Sequence, residues 1–329
     1  LCPAAACSVS NESGDKEMDR FVSDLMDRMT VREKLGQLNL PTGGDLVTGT
    51  VMESDLGEMI RNQEIGGFLN VKGADKIREL QRIATEETSL KIPLLAGADI
   101  IHGYETVFPI PLAMSCSWDP DAVEKMARIS AIEASAAGIN WTYSPMLDIC
   151  RDARWGRIAE GNGEDPYLGS VLAKAYIRGY QGEKMSRNDE ILACVKHFAL
   201  YGASEAGRDY NTVDMSRYRM FNGYLPPYRA AIEAGAGSVM SSFNLVDGIP
   251  ATANKWLLTD LLRDKWGFKG MVVTDYNSIG EMDSFGIAPI KEASEKALAA
   301  GTDMDMVSGG FLNYLEQSLK EGKVTMEQI

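Results

Sequence analysis

The chain is short of the residues on which metal and thiol chemistry rely. Only two of its 329 residues are histidine, His102 and His197, and its five cysteines fall at no metal-ligand spacing. Zinc catalysis draws on a compact set of three protein ligands, so a lone Asp99-Ile100-Ile101-His102 argues against a metal enzyme, and no metal or other cofactor is expected. An excess of positive charge is missing too. The 33 Lys and Arg stand against 47 Asp and Glu, and the net charge of −14 repels nucleic acid and anionic lipid. No apolar run approaches the roughly 20 residues that cross a bilayer, and even Ile191 to Ala199 carries a charge. The chain also has no G-x-S-x-G, no phosphate-cradling Gly-rich loop ending in Lys and no dinucleotide fingerprint. What is there is a globular balance, 45% hydrophobic and 24% charged, which excludes a disordered chain.

Both ends carry signals. Leu1-Cys2-Pro3-Ala4-Ala5-Ala6-Cys7, followed by polar Ser8 to Asp15, reads as the remnant of a secretory or lipoprotein signal cut near Cys7. Residues 1–17 are therefore expected to form a disordered or processed leader, and the protein to be periplasmic or secreted. Cys116, Cys150 and Cys194 read as buried thiols. Thr325-Met326-Glu327-Gln328 has the form of a capping box with no helix body after it, which points to a fragment of a longer protein.

Between the ends, short β-rich runs alternate with helical periods. The expected strands are Leu35 to Leu40, Gly66 to Asn70, Ile92 to Ala98, Ile139 to Leu147, Ile191 to Phe198, Ser238 to Asn244, Gly270 to Thr274 and Gly301 to Val307. The expected helices are Met18 to Lys34 with the capping box Thr30-Val31-Arg32-Glu33, Ala74 to Glu87, Pro120 to Ala137, Asp165 to Gln181, Ser216 to Glu233 and Ala253 to Trp266. Such alternation implies a parallel sheet, and eight units predict an α/β fold, a (β/α)8 TIM-like barrel over residues 18–329.

In such a barrel, side chains that meet a common ligand lie at or just after the C-terminal ends of strands. Those positions hold Asp99, Asp148, Lys196, His197 and Asp275. Asp275 follows Met271-Val272-Val273-Thr274, so its carboxylate emerges from a packed strand either as a nucleophile or general base, or as the cap of the next turn. Lys196 and His197 either donate to ring hydroxyls or form a structural ion pair. The ion pair is disfavoured because two consecutive polar groups do not both face one core. Around Trp155-Gly156, the residues Arg151, Arg154 and Arg157 can brace the loop through bidentate ion pairs and leave one guanidinium over the pocket. Trp155 and Tyr276 are candidate apolar platforms for sugar faces.

The runs Gly97-Ala98-Asp99-Ile100-Ile101-His102-Gly103, Arg154-Trp155-Gly156-Arg157 with Gly163-Glu164-Asp165-Pro166-Tyr167, Val195-Lys196-His197-Phe198 and Val272-Val273-Thr274-Asp275 resemble family 3 glycoside hydrolases, the β-glucosidase branch above all. The likeness extends in the family's order from about Asp19 to the end of the chain, with Trp266-Gly267-Phe268-Lys269-Gly270 introducing the Asp275 strand. It implies that Asp275 is the nucleophile of a retaining exo-acting β-glycosidase. Asp99, Arg157, Lys196 and His197 then bind hydroxyls of the terminal non-reducing sugar, and Tyr276 stands where many relatives carry Trp. The expected partner is an oligosaccharide or β-glucoside substrate. In this mechanism an ionised Asp attacks the anomeric carbon and a second carboxyl group about 5 Å away protonates the leaving oxygen, with Lys196 and Arg157 keeping Asp275 ionised.

Two departures narrow the reading. Phe243 replaces a Tyr carried by some relatives. The run Lys196-His197-Phe198-Ala199-Leu200-Tyr201-Gly202 lacks the second His of the β-N-acetylhexosaminidase branch. In β-glucosidase relatives the acid/base Glu comes from a second α/β domain after the barrel, which this chain does not reach. Glu205 and Glu164 receive no such role, so the fragment is expected to hydrolyse poorly while activated aryl glycosides still label Asp275. The competing classes are a Schiff-base lyase using Lys196 and a non-catalytic sugar-binding barrel.

Overall fold

The computed structural model describes residues 8–45 and 55–329. Residues 1–7, with Cys2 and Cys7, lie outside them, and from Ser8 the chain is helical to Met26. Eight short parallel strands fall inside the eight β-rich runs: β1 (Asn39–Leu40), β2 (Gly67–Leu69), β3 (Leu95–Ala98), β4 (Trp141–Thr142), β5 (Leu192–Phe198), β6 (Ser238–Ser241), β9 (Met271–Val273) and β10 (Asp305–Met306). An antiparallel hairpin of β7 (Leu245–Val246) and β8 (Ile249–Pro250) is inserted after β6. Strands β2-β3-β4-β5-β6-β9 form one parallel sheet and β1-β10 another. The parallel bridges Thr42↔Leu69 and Val273↔Met304 join the two and close the ring. The fold is thus an α/β, TIM-like barrel.

The ring is closed by packing as much as by hydrogen bonds. Leu40, Leu69, Trp141, Tyr143, Met240 and Val273 fill the interior, and Trp141 donates through its indole N–H to Ser238 Oγ at 2.8 Å. Bulky side chains from several strands fill the ring, as a small eight-stranded barrel requires. Gly97 admits this packing. A Cβ there would sit 2.1 Å from the Tyr143 hydroxyl oxygen.

Several boundaries differ from expectation for identifiable reasons. Met18 to Lys34 is two helices, because Thr30 opens a second one, Val31–Gln37. The Thr30 hydroxyl accepts from Glu33 N–H, and the Glu33 carboxylate accepts from Thr30 N–H at 2.8 Å. That helix also takes Leu35 to Gln37 from the expected first strand. Ser216 to Glu233 divides into Arg217–Gly223 and Pro226–Glu233, since Pro226 and Pro227 have no N–H to continue a helix but fit a first turn. Helix Ala74–Arg82 widens into a π-helical turn through Glu87. Helices Leu56–Arg61, Pro111–Ser115, Ser278–Ser284, Ile290–Ala300 and Gly310–Lys320 were not anticipated. Thr325 and Gln328 do make the reciprocal capping contacts, at 2.8 and 3.3 Å. Of the three thiols read as buried, Cys194 is buried, Cys150 is half-buried and Cys116 is exposed, because it ends the surface helix Pro111–Ser115.

Gly97→Ala is expected to destabilise the fold by about 1–3 kcal/mol, the usual cost of overpacking. Adding Tyr143→Phe, which removes the obstructing oxygen, should restore part of that loss. Denaturant melts of the single and double variants measure both effects, and additivity of the two changes would refute the proposed clash.

Candidate active site

The strand-end polar residues arrive on one rim. Asp99 follows β3, Asp148 follows β4, Lys196 and His197 belong to β5, and Asp275 follows β9. Arg157 reaches the same place from the long connection after β4. A cavity of about 650 Å³ opens there, lined by Asp99, Arg157, Glu160, Lys196, Asp275 and Tyr276, with Tyr210, Phe243 and Glu281 among the rest of its wall. This is an ordinary size for a small-molecule site.

Burial decides the electrostatics of Asp275. The residue is 7% exposed, and its Oδ1 accepts from the Tyr276 backbone N–H at 2.7 Å, while Oδ2 has no hydrogen-bond donor among the described residues. Desolvation raises its pKa from 3.8 to about 6 against the opposing pull of Arg157, Lys196 and the Tyr276 N–H, with Asp99 adding a smaller upward push. The cations thus moderate a rise that burial imposes, rather than holding the carboxyl low as the sequence suggested. At neutral pH most of the carboxylate is ionised.

Lys196 and His197 are both inside, contrary to the expectation that consecutive polar residues avoid one core. The register of β5 against β6 shifts between Val195 and Phe198, and this irregularity lets adjacent side chains leave the usual alternation. Lys196 is 4% exposed and places Nζ 2.6 Å from Asp99 Oδ1, so the disfavoured ion pair exists alongside the cavity position. His197 is fully buried behind the cavity wall. Its Nδ1 lies 2.8 Å from Asp148 Oδ2, and Arg157 Nη2 lies 3.1 Å from its Nε2. A carboxylate on one side and a guanidinium donor on the other require the neutral Nδ1–H tautomer. Burial, and then the charges of Arg157 and Lys196, hold the His197 pKa well below its usual value. Asp275 Oδ2, 3.5 Å from Nε2, therefore faces a lone pair rather than a proton.

Asp148 anchors this arrangement. Its Oδ2 accepts from both the ring and the backbone N–H of His197, and the Tyr228 hydroxyl lies 2.8 Å from its Oδ1. Burial raises its pKa to about 6 despite these donors. Arg157 is braced by bidentate bonds to Glu160 at 2.8 and 2.9 Å and lies over the Tyr201 ring. Arg154 pairs with Asp152 on the surface, and Arg151 stacks over Tyr224.

Of the two candidate platforms, Tyr276 lines the cavity. Trp155 does not, because it is 1% exposed and its indole N–H is held by Asp209 at 2.9 Å; its ring borders a separate cavity of about 260 Å³. Tyr210 and Glu281 were missed. Glu160 belongs to the acidic stretch that the sequence places beside the three arginines as their brace, and it grips Arg157. Tyr210 and Glu281 carried no signal, since neither sits at a strand end.

The profile described as the glycosyl hydrolase family 3 N terminal domain matches residues 30–329. A periplasmic beta-glucosidase of Salmonella typhimurium is 44% identical over 312 residues, which cover 94% of this chain and 40% of that protein. A beta-xylosidase of Formosa agariphila is 40% identical over 71% of this chain and 35% of its own length. Among solved structures, a beta-glucosidase from Listeria innocua in complex with isofagomine superposes with a TM-score of 0.89 at 43% identity, covering 94% of this chain and 44% of that one. The chain therefore spans less than half the length of these relatives.

The buried network makes its own prediction. Asp148→Ala leaves the His197 ring and backbone N–H groups without their acceptor and is expected to cost about 3 kcal/mol or more, whereas Asp148→Asn, which keeps one acceptor oxygen, should cost less. Urea denaturation of both variants distinguishes this from simple loss of volume, which would rank them the same way but within about 1 kcal/mol of wild type.

Proposed function

The chain belongs to glycosyl hydrolase family 3, and on that premise we propose that it is the barrel part of a retaining, exo-acting β-glucosidase that removes terminal non-reducing β-D-glucosyl residues from oligosaccharides or glucosides. The observation that carries this reading is Asp275, a buried carboxylate whose Oδ2 is free of donors and lies in a cavity shared with Arg157, Lys196 and Asp99. Asp275 Oδ2 attacks the anomeric carbon, the glycosidic oxygen departs with a proton, and water later cleaves the glycosyl ester. Asp99, Arg157 and Lys196 bind hydroxyls of the sugar, Tyr276 packs against its face, and His197 acts from behind by orienting Arg157 and flanking Asp275.

We assign the leaving-group acid to a second α/β domain of the same protein. The reading is supported by the greater length of the relatives; Glu164 and Glu205 do not line the cavity. A periplasmic or secreted location is supported by the periplasmic beta-glucosidase among those relatives. Among the described residues, no helix is long and apolar enough to cross a membrane. A Schiff-base role for Lys196 is less well supported, because Asp99 engages its Nζ at 2.6 Å, a contact suited to an ammonium rather than to an amine nucleophile.

With an activated aryl β-glucoside as substrate, Asp275→Asn and Asp275→Ala are expected to lose at least about a thousandfold in kcat/KM. Unchanged turnover in both would remove Asp275 from the mechanism. The wild-type rate of Asp275 labelling by a fluorinated glucosyl fluoride should fall as pH drops through about 6, where the nucleophile gains its proton. The same shift bears on stability. A carboxyl whose folded pKa lies above its unfolded one weakens the fold as pH rises between the two values. Asp275→Asn should therefore melt about 2–4 °C above wild type at pH 7, with the gap closing towards pH 4.

A further inference from the structure

Helix Ser278–Ser284 begins immediately after the Asp275 turn, and its first hydrogen bond, from Glu281 N–H to the Asn277 carbonyl at 2.9 Å, sets Glu281 one helical turn beyond the strand end. The half-buried side chain lines the same cavity as Asp275, Tyr276 and Asn277. Among the described residues its carboxyl has no hydrogen-bond or ion-pair partner. The cations sharing the cavity are engaged elsewhere, Arg157 by Glu160 and Lys196 by Asp99. We propose that Glu281 is a second functional carboxyl of this site, one that hydrogen-bonds a hydroxyl of the bound glucoside, the partner that the described residues do not give it.

The surroundings favour the protonated form. Asp275 approaches from the end of β9, and Asp209 and Tyr210 from the segment after β5, so the charged groups coupled to Glu281 are acids. Burial, then Asp275, then Asp209 raise its pKa to about 7. Near neutrality a large share of Glu281 thus carries both an O–H donor and a carbonyl acceptor, the pairing that a sugar hydroxyl accepts and donates to. Asp275 and Glu281 share one cavity and lose their protons as a coupled pair, so that between the two steps the site holds one ionised and one neutral, donating carboxyl.

The inference rests on the cavity being a glucoside site, and the test separates the two claims. Calorimetric titration of the full chain with glucose, from about pH 5 to pH 9, is run alongside Asp275 labelling by a fluorinated glucosyl fluoride, read by mass spectrometry. Wild type should bind more weakly as pH rises through about 7 and Glu281 loses its donor. Glu281→Gln, which keeps a donor and an acceptor at every pH, should bind like wild type at low pH and lose that dependence. Glu281→Ala should bind about three- to tenfold more weakly throughout, the worth of one hydrogen bond. Wild-type affinity in Glu281→Ala, or an unaltered pH profile in Glu281→Gln, overturns the inference while Asp275 labelling leaves the glucosidase reading standing. Absence of both glucose binding and labelling in wild type overturns the two together.

Discussion

Placing an ionisable carboxyl where water barely reaches it is costly, and the polar architecture of this barrel is arranged around that cost. Asp275 is pushed towards its neutral form by burial and drawn back towards its charged form by Arg157 and Lys196, and the balance falls near pH 6. A carboxylate so poorly solvated keeps an accessible lone pair, as the nucleophile role proposed for it needs. Full exposure would dilute its reactivity in solvation, and full burial without cations would leave it protonated.

The same reasoning explains why the neighbours come in pairs. Lys196 with Asp99, Arg157 with Glu160 and His197 with Asp148 each match a donor to an acceptor at hydrogen-bond distance. An unpaired cation at 4% exposure would be expensive, and a pair made through a fixed fork also holds its geometry. Rigidity then spreads through shared atoms. Asp148 fixes the tautomer of His197, His197 accepts from Arg157, and Arg157 faces the cavity. The connection after β4, which carries Asp148 and Arg157, and strand β5, which carries His197, thereby hold one another in register.

The alternation of strands and helices was legible because it rests on local chemistry: β-rich runs of five to nine residues, capping residues and the period of amphipathic helices. All eight barrel strands lie within the runs so identified, although every one is shorter, since strand ends depend on pairing that a single segment does not specify. Helix breaks at Thr30 and Pro226 were written in the residues and were overlooked only where two helices ran together. The rim positions Asp99, Lys196 and Asp275 followed from one rule of barrel geometry. Trp155 did not follow the same way, because an aromatic residue in a loop looks alike whether it faces a cavity or, as here, is buried with its indole N–H tied to the Asp209 carboxylate.

By itself the sequence determined the class of fold, the family and the identity of the groups at the strand ends, because these depend on periodicity, on ordered motifs and on residue type. Tertiary structure alone decided which way those groups point and what charge they carry. The irregular register of β5 that buries both Lys196 and His197, the desolvation that lifts Asp275 above its cationic neighbours' pull, and the return of Glu281 to the cavity all arise from contacts between segments that are far apart along the chain. Solvation and long-range Coulomb interactions depend on what lies within a few ångströms in space, and no local stretch of residues encodes that.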